Sequence, residues 1–370
     1  MRITGAVLEE PGRGRPYWST RPLTVAELDL APPGPGEVLV EIEAAGVCHS
    51  DLSVVDGQRP RPVPMLLGHE AAGRVVDAGD DVDDLAPGRR VVLVFLPACG
   101  GCAGCRSGGR IPCEPGSAAN AAGTLIGGGT RLSRRGHPVL HHLGVSAFAT
   151  HAVVDRGSVV PVDDDVPAAV AALLGCAVLT GGGAVVNAGA MRSGDRVAVV
   201  GLGGVGLAAV LVAAAAGASR LVAVDPVEHK RELALRLGAT EAMTPDQAAA
   251  AGRLADLVVD ATGSVPAFEA ALAATAPGGR TVTVGLPPPD RLARISPLAL
   301  VAEARSVIGS YLGSSVPSHD IPMYVDWWRD GRLPVEHLAT SELALGEINQ
   351  AMDALADGQA VRQLIRPRMP

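Results

Sequence analysis

The hexapeptide Gly201-Leu202-Gly203-Gly204-Val205-Gly206 constrains the fold of this chain more than any other stretch. It satisfies G-x-G-x-x-G, with an apolar run at 197–200 entering it and an Ala-rich run leaving it. A strand that turns into a helix through such a loop lets the backbone turn tightly, approach a pyrophosphate and pack helix against strand. Asp225 follows 19 residues after Gly206, at the end of the next apolar run. A carboxylate there accepts hydrogen bonds from an adenosine ribose diol and repels a 2′-phosphate. Pro226, Val227 and Glu228 offer no arginine to neutralise one, so the site is expected to take NAD rather than NADP.

The same region alternates strand and helix. Strands are expected at 196–201, 220–225, 241–244, 256–261, 280–285 and 306–311, with helices such as 205–216 and 228–237 between them. That rhythm implies right-handed βαβ units and an α/β fold with a doubly wound parallel Rossmann sheet. Residues 1 to about 150 differ: EVLVEIEAAGV, AAGRVVDAG, RRVVLVF and FATHAVVD are short strand-like runs split by Gly, Pro and Asp. They predict an all-β, barrel-like domain, with 116–142 as a long Gly/Ser/Arg-rich excursion. The last fifty residues, with helical patterns at 321–330 and 345–357 and a short strand at 360–365, are assigned back to that domain. The expected division is therefore 1–178 with 319–370, and 179–318.

Composition sets the outer limits. Net charge is −8 over 370 residues, without a basic run or basic–aromatic interleaving, which argues against nucleic acid and an anionic membrane as partners. The longest apolar stretch noted, 207–216, is too short to span a bilayer, and no leader-like segment opens the chain, so a cytoplasmic protein is expected. Arginine dominates the basic residues; Lys230 is the sole lysine.

Six cysteines in such a compartment read as metal ligands before disulfides. Cys99, Cys102, Cys105 and Cys113 follow C-x2-C-x2-C-x7-C, punctuated by Gly100, Gly101 and Gly104. Four thiolates on one loop close a tetrahedral zinc shell, so this lobe, about 97–115, predicts a structural site. Its formal charge of −2 calls for loop N–H groups pointing at the sulfurs. Cys48 and Cys176 stand far apart, with His69 between them. Two Cys and one His suit a catalytic zinc with an open fourth position. Spacing alone equally permits two buried apolar thiols and a core histidine.

GVCHSD, LLGHEAAG, the four-Cys lobe, GCAVLTGGGA, VVGLGGVG, VAVD, AVRQLI and RRGHPVLHHLGVSAFATHAVVD together resemble the zinc-dependent medium-chain alcohol dehydrogenases, in the long liver-type form. The resemblance covers nearly the whole chain. It implies a GroES-like catalytic barrel domain beside the Rossmann domain, NAD, and two zinc ions per chain. It makes Cys48, His69 and Cys176 the catalytic ligands, with Glu70 behind the metal and Asp51 fixing the tautomer of the ligand histidine. Ser50 matches the hydroxyl that takes the alcohol proton, and His49 a pyrophosphate contact. Thr180 and Val205 resemble nicotinamide neighbours, Lys230 the lysine on the adenosine ribose, and Arg362 an arginine reaching the cofactor phosphates. Phe95 and Leu143 would line the substrate pocket, with Leu125 or Ile126 beside them. A homodimer joined through an edge strand at 307–312 is implied.

One place departs from the pattern: Ser53 stands where many relatives end the proton relay with a histidine, and serine is no base near pH 7. Release to solvent is the expectation. The implied reaction is oxidation of a primary or secondary alcohol to aldehyde or ketone. The alternative is a thiol-adduct formaldehyde dehydrogenase; the stretch after Cys113 lacks that class's arginine, though Arg59 or Arg61 could serve.

Overall fold

The computed structural model describes residues 1–368 and separates into two compact units, Met1–Cys176 with the chain from Ala339 onward, and Ala177–Leu338. The second unit is built on a six-stranded parallel sheet. Its order is Glu241–Met243, Arg220–Val224, Arg196–Val200, Ala255–Asp260, Thr275–Thr283, Ser306–Gly309. The apolar runs read as strands are continuous rather than alternating because both faces are covered; 197–200 and 221–224 are buried throughout. Sequential strands run outward on either side of Arg196–Val200. The strand order therefore reverses between it and Ala255–Asp260, where a doubly wound sheet opens a crevice for a ligand.

The first unit holds a closed five-stranded barrel and a second, seven-stranded sheet. The central strand of that sheet, Glu37–Val47, pairs antiparallel with Ala71–Ala78, His151–Asp155 and Arg362–Arg366, so the end of the chain returns to its beginning. The stretch read as an excursion supplies barrel strands instead: Leu132–Arg134 and His137–His141 form a hairpin. Leu132 and Val139 turn inward, while the arginines between them mask the pattern from a reading of composition.

Two further differences have physical causes. The sequence reading places 319–338 with the barrel, but helix Pro317–Arg329 belongs to the second unit. There Tyr324 is fully buried against Gly182, and the Asn187 side chain donates to Asp320 at 2.8 Å. The longest apolar helix, Ala168–Ala188, was not anticipated. It is the one described helix long and apolar enough to cross a membrane, yet 89% of its apolar window is buried within the fold. Its glycine triplet hides it from propensity but permits close packing. A Cβ at Gly181 would lie 2.1 Å from the Val205 carbonyl oxygen, and one at Gly183 would lie 2.3 Å from that of Gly313.

Candidate metal and dinucleotide sites

Cys48 leaves the end of strand Glu37–Val47 and caps helix His49–Val55, whose third residue is Asp51. The Asp51 carboxylate reaches back to accept the Cys48 N–H at 3.2 Å, and its other oxygen faces the Gly68 N–H at 3.3 Å and His69 Nδ1 at 3.0 Å. One carboxylate thus ties together the two chain segments that carry Cys48 and His69. Because Asp51 is an acceptor, His69 carries its proton on Nδ1 and turns the lone pair of Nε2 away from it. That nitrogen lies 3.6 Å from the sulfur of Cys176, which sits in a π-type turn, Leu174–Val178, of the long apolar helix. Such turns recur at functional sites.

The ligand atoms of Cys48, His69 and Cys176 lie within 4.8 Å of one another, and all three residues are buried. A tetrahedral zinc with S and N ligands separates them by about 3.6 Å, the distance found between Cys176 and His69. The donor set fits the metal. Burial opposes ionisation of Asp51, yet the rings of His69 and His142 outweigh it and hold the carboxyl at about 2. The Cys48 thiol is held well below its ordinary range by a hydrogen bond from Cys176 and by the charge of Arg362. It is the readier of the two sulfurs to become a thiolate ligand.

Glu70 is fully buried, and burial pushes its carboxyl up. It can lie across the neighbouring strand only because residue 46 is glycine; a Cβ there would come 1.9 Å from Glu70 Oε1. The resemblance casts Arg362 as a contact of the cofactor phosphates. In the structure its guanidinium is buried, donates to the Val47 carbonyl at 3.2 Å, and stands 3.6 Å from Glu70 Oε2. Its place on the strand paired with Glu37–Val47 directs it there, one residue before Gln363, which pairs with Val47. Phe95 packs edge-on to His69, with ring centroids 5.7 Å apart, and Leu143 is buried with φ at 52°. Leu125 is different from the expectation: it is packed in the barrel core with Leu28, Leu66 and Val139. Ser50 is half-buried, His49 is exposed, and the Ser53 hydroxyl donates to the Ser50 carbonyl at 2.9 Å.

Cys99, Cys102, Cys105 and Cys113 also come together. Sulfur separations of 3.6 Å (Cys102 to Cys105) and 3.9 Å (Cys99 to Cys105, Cys102 to Cys113) far exceed a disulfide bond. They match the edge of about 3.8 Å in a tetrahedron with Zn–S bonds of about 2.3 Å. The expected inward N–H groups are present: Cys99 and Gly116 donate to the Cys113 sulfur at 3.3 and 3.4 Å, and Cys105 to that of Cys102 at 3.4 Å. The Cys105 N–H brings Cys102 down to about 6, while burial pushes Cys113 up to about 12.

In the second unit, Gly201 adopts φ of 89° and the turn feeds helix Gly204–Ala215. A Cβ at Gly206 would meet the Gly201 carbonyl oxygen at 1.8 Å, so helix and strand touch there. A Cβ at Gly203 would meet no protein atom within 4 Å. The space that glycine leaves is therefore room for something outside the protein, at a helix N-terminus whose half-buried start includes Val205. Asp225 is buried and accepts the Leu202 and Val227 N–H groups, both at 2.8 Å. Each carboxylate oxygen keeps acceptor capacity for a diol. Lys230 is the third residue of helix Glu228–Arg236, and Thr180 is buried in Leu179–Gly183.

Two residues of these sites were missed. Arg231 donates to the carbonyls of Asp225 and Pro226 at 2.8 Å each, stiffening the turn below the diol site; its only sequence signal is its place beside Lys230. His142, buried beside Asp51, gave none except its place in the His-His pair.

Residues 204–329 match the zinc-binding dehydrogenase family, and residues 34–164 match the alcohol dehydrogenase GroES-like domain. The chain is 38% identical to geraniol dehydrogenase of Castellaniella defragrans, over 93% of this chain and 94% of that one. It is 35% identical to S-(hydroxymethyl)glutathione dehydrogenase of Escherichia coli, over 99% and 100% respectively. Among solved structures, benzyl alcohol dehydrogenase of Acinetobacter calcoaceticus superposes with a TM-score of 0.90 at 31% identity, covering 99% of each chain.

Proposed function

The chain belongs to the zinc-dependent medium-chain alcohol dehydrogenase family, NAD-dependent oxidoreductases, and from that premise we propose that it oxidises a primary or secondary alcohol to the aldehyde or ketone, reversibly. The observation that carries the reading is the buried Cys48, His69, Cys176 cluster, a three-ligand set with His69 oriented by Asp51. Three protein ligands leave a fourth position for substrate, and two thiolates with one imidazole keep the net charge near zero. The zinc supplies Lewis acidity that lowers the pKa of the alcohol, and NAD supplies the hydride acceptor.

The remaining work falls to side chains of this chain. The Ser50 hydroxyl takes the alcohol proton as the carbon loses hydride. Ser53 cannot pass that proton on as a base, and its hydroxyl is committed to the Ser50 carbonyl. Release therefore runs to solvent. Glu70 and Arg362 balance charge behind the ligands. Asp225 favours NAD over NADP, with Lys230 on the ribose, His49 and the 201–206 loop on the pyrophosphate, and Thr180 and Val205 beside the nicotinamide. The four-Cys lobe holds a second, structural zinc. Free thiols throughout suit a cytoplasmic protein. The edge strand Ser306–Gly309 and the exposed Leu298 and Val301 before it suit a homodimer.

The test is turnover of an alcohol panel with NAD and with NADP, on zinc-analysed protein, with and without formaldehyde plus a low-molecular-weight thiol. Turnover of simple alcohols with NAD and two zinc ions per chain is expected. Turnover only with formaldehyde and thiol together would move the assignment to an adduct oxidiser, with Arg59 and Arg61 the next residues to change.

A further inference from the structure

We propose that His142 is a positioning residue of the metal centre, holding the Asp51 carboxylate and, through it, the ring of His69. The proposal rests on the reading of Cys48, His69 and Cys176 as metal ligands.

Three independent features converge on His142. Its Nδ1 lies 3.3 Å from the Asp51 oxygen that also faces His69 Nδ1, within ion-pair distance but too far off line for a hydrogen bond, and it has no other partner. Its ring stands edge-on to that of His69, with centroids 5.5 Å apart and planes at 88°. Both rings and the carboxylate are at most 1% exposed, so the carboxylate has only protein donors to offset its burial. The polar edge of His142, 3.3 Å away, stands beside those donors, and removing it leaves Asp51 freer to rotate, with His69 turning with it.

The backbone around His142 is built to hold it there. Leu143, Gly144 and Ser146 all take positive φ, at 52°, 67° and 54°. L-residues rarely adopt that conformation, and they persist in it where the surroundings enforce it, often at functional sites. The enforcing bonds are visible. The His142 N–H donates to the Ser146 hydroxyl at 2.9 Å, which in turn donates to the Leu66 carbonyl at 2.9 Å. Ala147 and Phe148 donate to the carbonyls of Gly68 and Leu67, each at 3.0 Å. The segment that carries His142 is thus strapped along the segment that delivers His69. A shift in either is a shift in both, with Asp51 between them.

His142 acts through Asp51 and not on the substrate, so its test must read the metal. The experiment compares wild type, His142→Phe, His142→Asn and Cys48→Ala, all purified with cobalt(II) or zinc. His142→Phe keeps a planar ring without a donor; His142→Asn places an N–H close to the position of Nδ1. Metal affinity at the Cys48 cluster is read by chelator competition and by the cobalt d–d bands. The metal held by the four-Cys lobe serves as the internal measure of folding.

In His142→Phe, metal affinity at the cluster should fall about 10–100-fold, the usual effect of losing an outer partner of a ligand. The d–d bands should shift and the lobe should keep its metal. His142→Asn should restore both. Wild-type affinity and spectrum in His142→Phe, or an Asn variant as impaired as the Phe variant, would overturn the proposal. If Cys48→Ala loses no metal, the fault lies in the reading of the cluster itself.

Discussion

His141 offers a quantitative test of how the barrel is packed. It is 1% exposed, its Nε2 accepts the Arg131 N–H at 3.2 Å, and its Nδ1 has no hydrogen-bond partner. Burial, with the Arg131 charge second, brings the ring down to about 4 from 6.5. The unfolded chain takes up a proton near 6.5, while the folded one declines it until about 4. The stability that a neutral His141 secures is therefore complete above pH 6.5 and is lost as pH falls towards 4. Integrating between those two values, the folded state should lose about 2 kcal/mol between pH 7 and pH 5 on account of this one residue. His141→Gln keeps an acceptor near the position of Nε2 and removes the titrating ring, so the variant should lose none of it. At pH 7 the two proteins should lie within about 1 kcal/mol, since each keeps the acceptor for Arg131 and each buries a nitrogen donor without a partner. The assay is thermal unfolding of both proteins at half-unit steps from pH 7 to 5. Metal release in acid is common to both and cancels in the difference. For a unit of roughly 200 residues, about 2 kcal/mol corresponds to a relative gain of about 4–8 °C for the variant at pH 5. A difference that stays flat across the range would refute the argument, because it would mean that His141 titrates alike in both states.

Other consequences are simpler to read. Gly206→Ala drives a methyl into the Gly201 carbonyl and should weaken NADH binding at least about tenfold by fluorescence titration, with metal content unchanged; wild-type binding would show that the turn can yield. Cys113→Ala should leave the chain one zinc short by native mass spectrometry and lower its unfolding temperature, because metal affinity at a structural site is folding free energy. Retention of both metals would exclude the lobe as a zinc site. His49→Gln should shift the pH profile of turnover by less than about 0.3 units if the proton leaves to solvent; a larger shift would make His49 its carrier.

What could be read from the sequence was local. The 201–206 loop, Asp225 and the four-Cys lobe are short-range patterns whose chemistry needs only neighbouring residues; in the structure Gly201 takes a positive φ, Asp225 accepts the Leu202 N–H and the four sulfurs converge. Asp51 was implied only by the family resemblance; its place three residues past Cys48, on the first turn of a helix, is what lets it reach back to the Cys48 N–H. Long-range packing escaped. The helix Ala168–Ala188 carries Gly181, Gly182 and Gly183, which lower helix propensity and make sense only beside Val205, Tyr324 and Gly313. Of the alternatives Leu125 and Ile126 offered for the pocket, the barrel core claims Leu125. The site of His142 depends on Leu66, Asp51 and Ser146 converging from three parts of the chain, which no spacing rule encodes. The hairpin 132–141 was hidden by arginines at positions whose neighbours face inward.

The pairing of Arg362–Arg366 with Glu37–Val47 has a consequence for synthesis. Cys48, His69, Glu70 and Cys176 all leave the ribosome well before Arg362. At about 5–20 residues per second, the 186 residues from Cys176 to Arg362 take about 10–40 s to make. For that interval the nascent first unit has two thiols and one buried carboxyl without the guanidinium that stands among them in the finished molecule. The edge of Glu37–Val47 that receives Arg362–Arg366 is likewise open to other strands during that time. A ribosome stalled within the second unit would therefore display a sheet with an unpaired edge and an unbalanced cluster, a species that chaperones meet and the completed enzyme never shows.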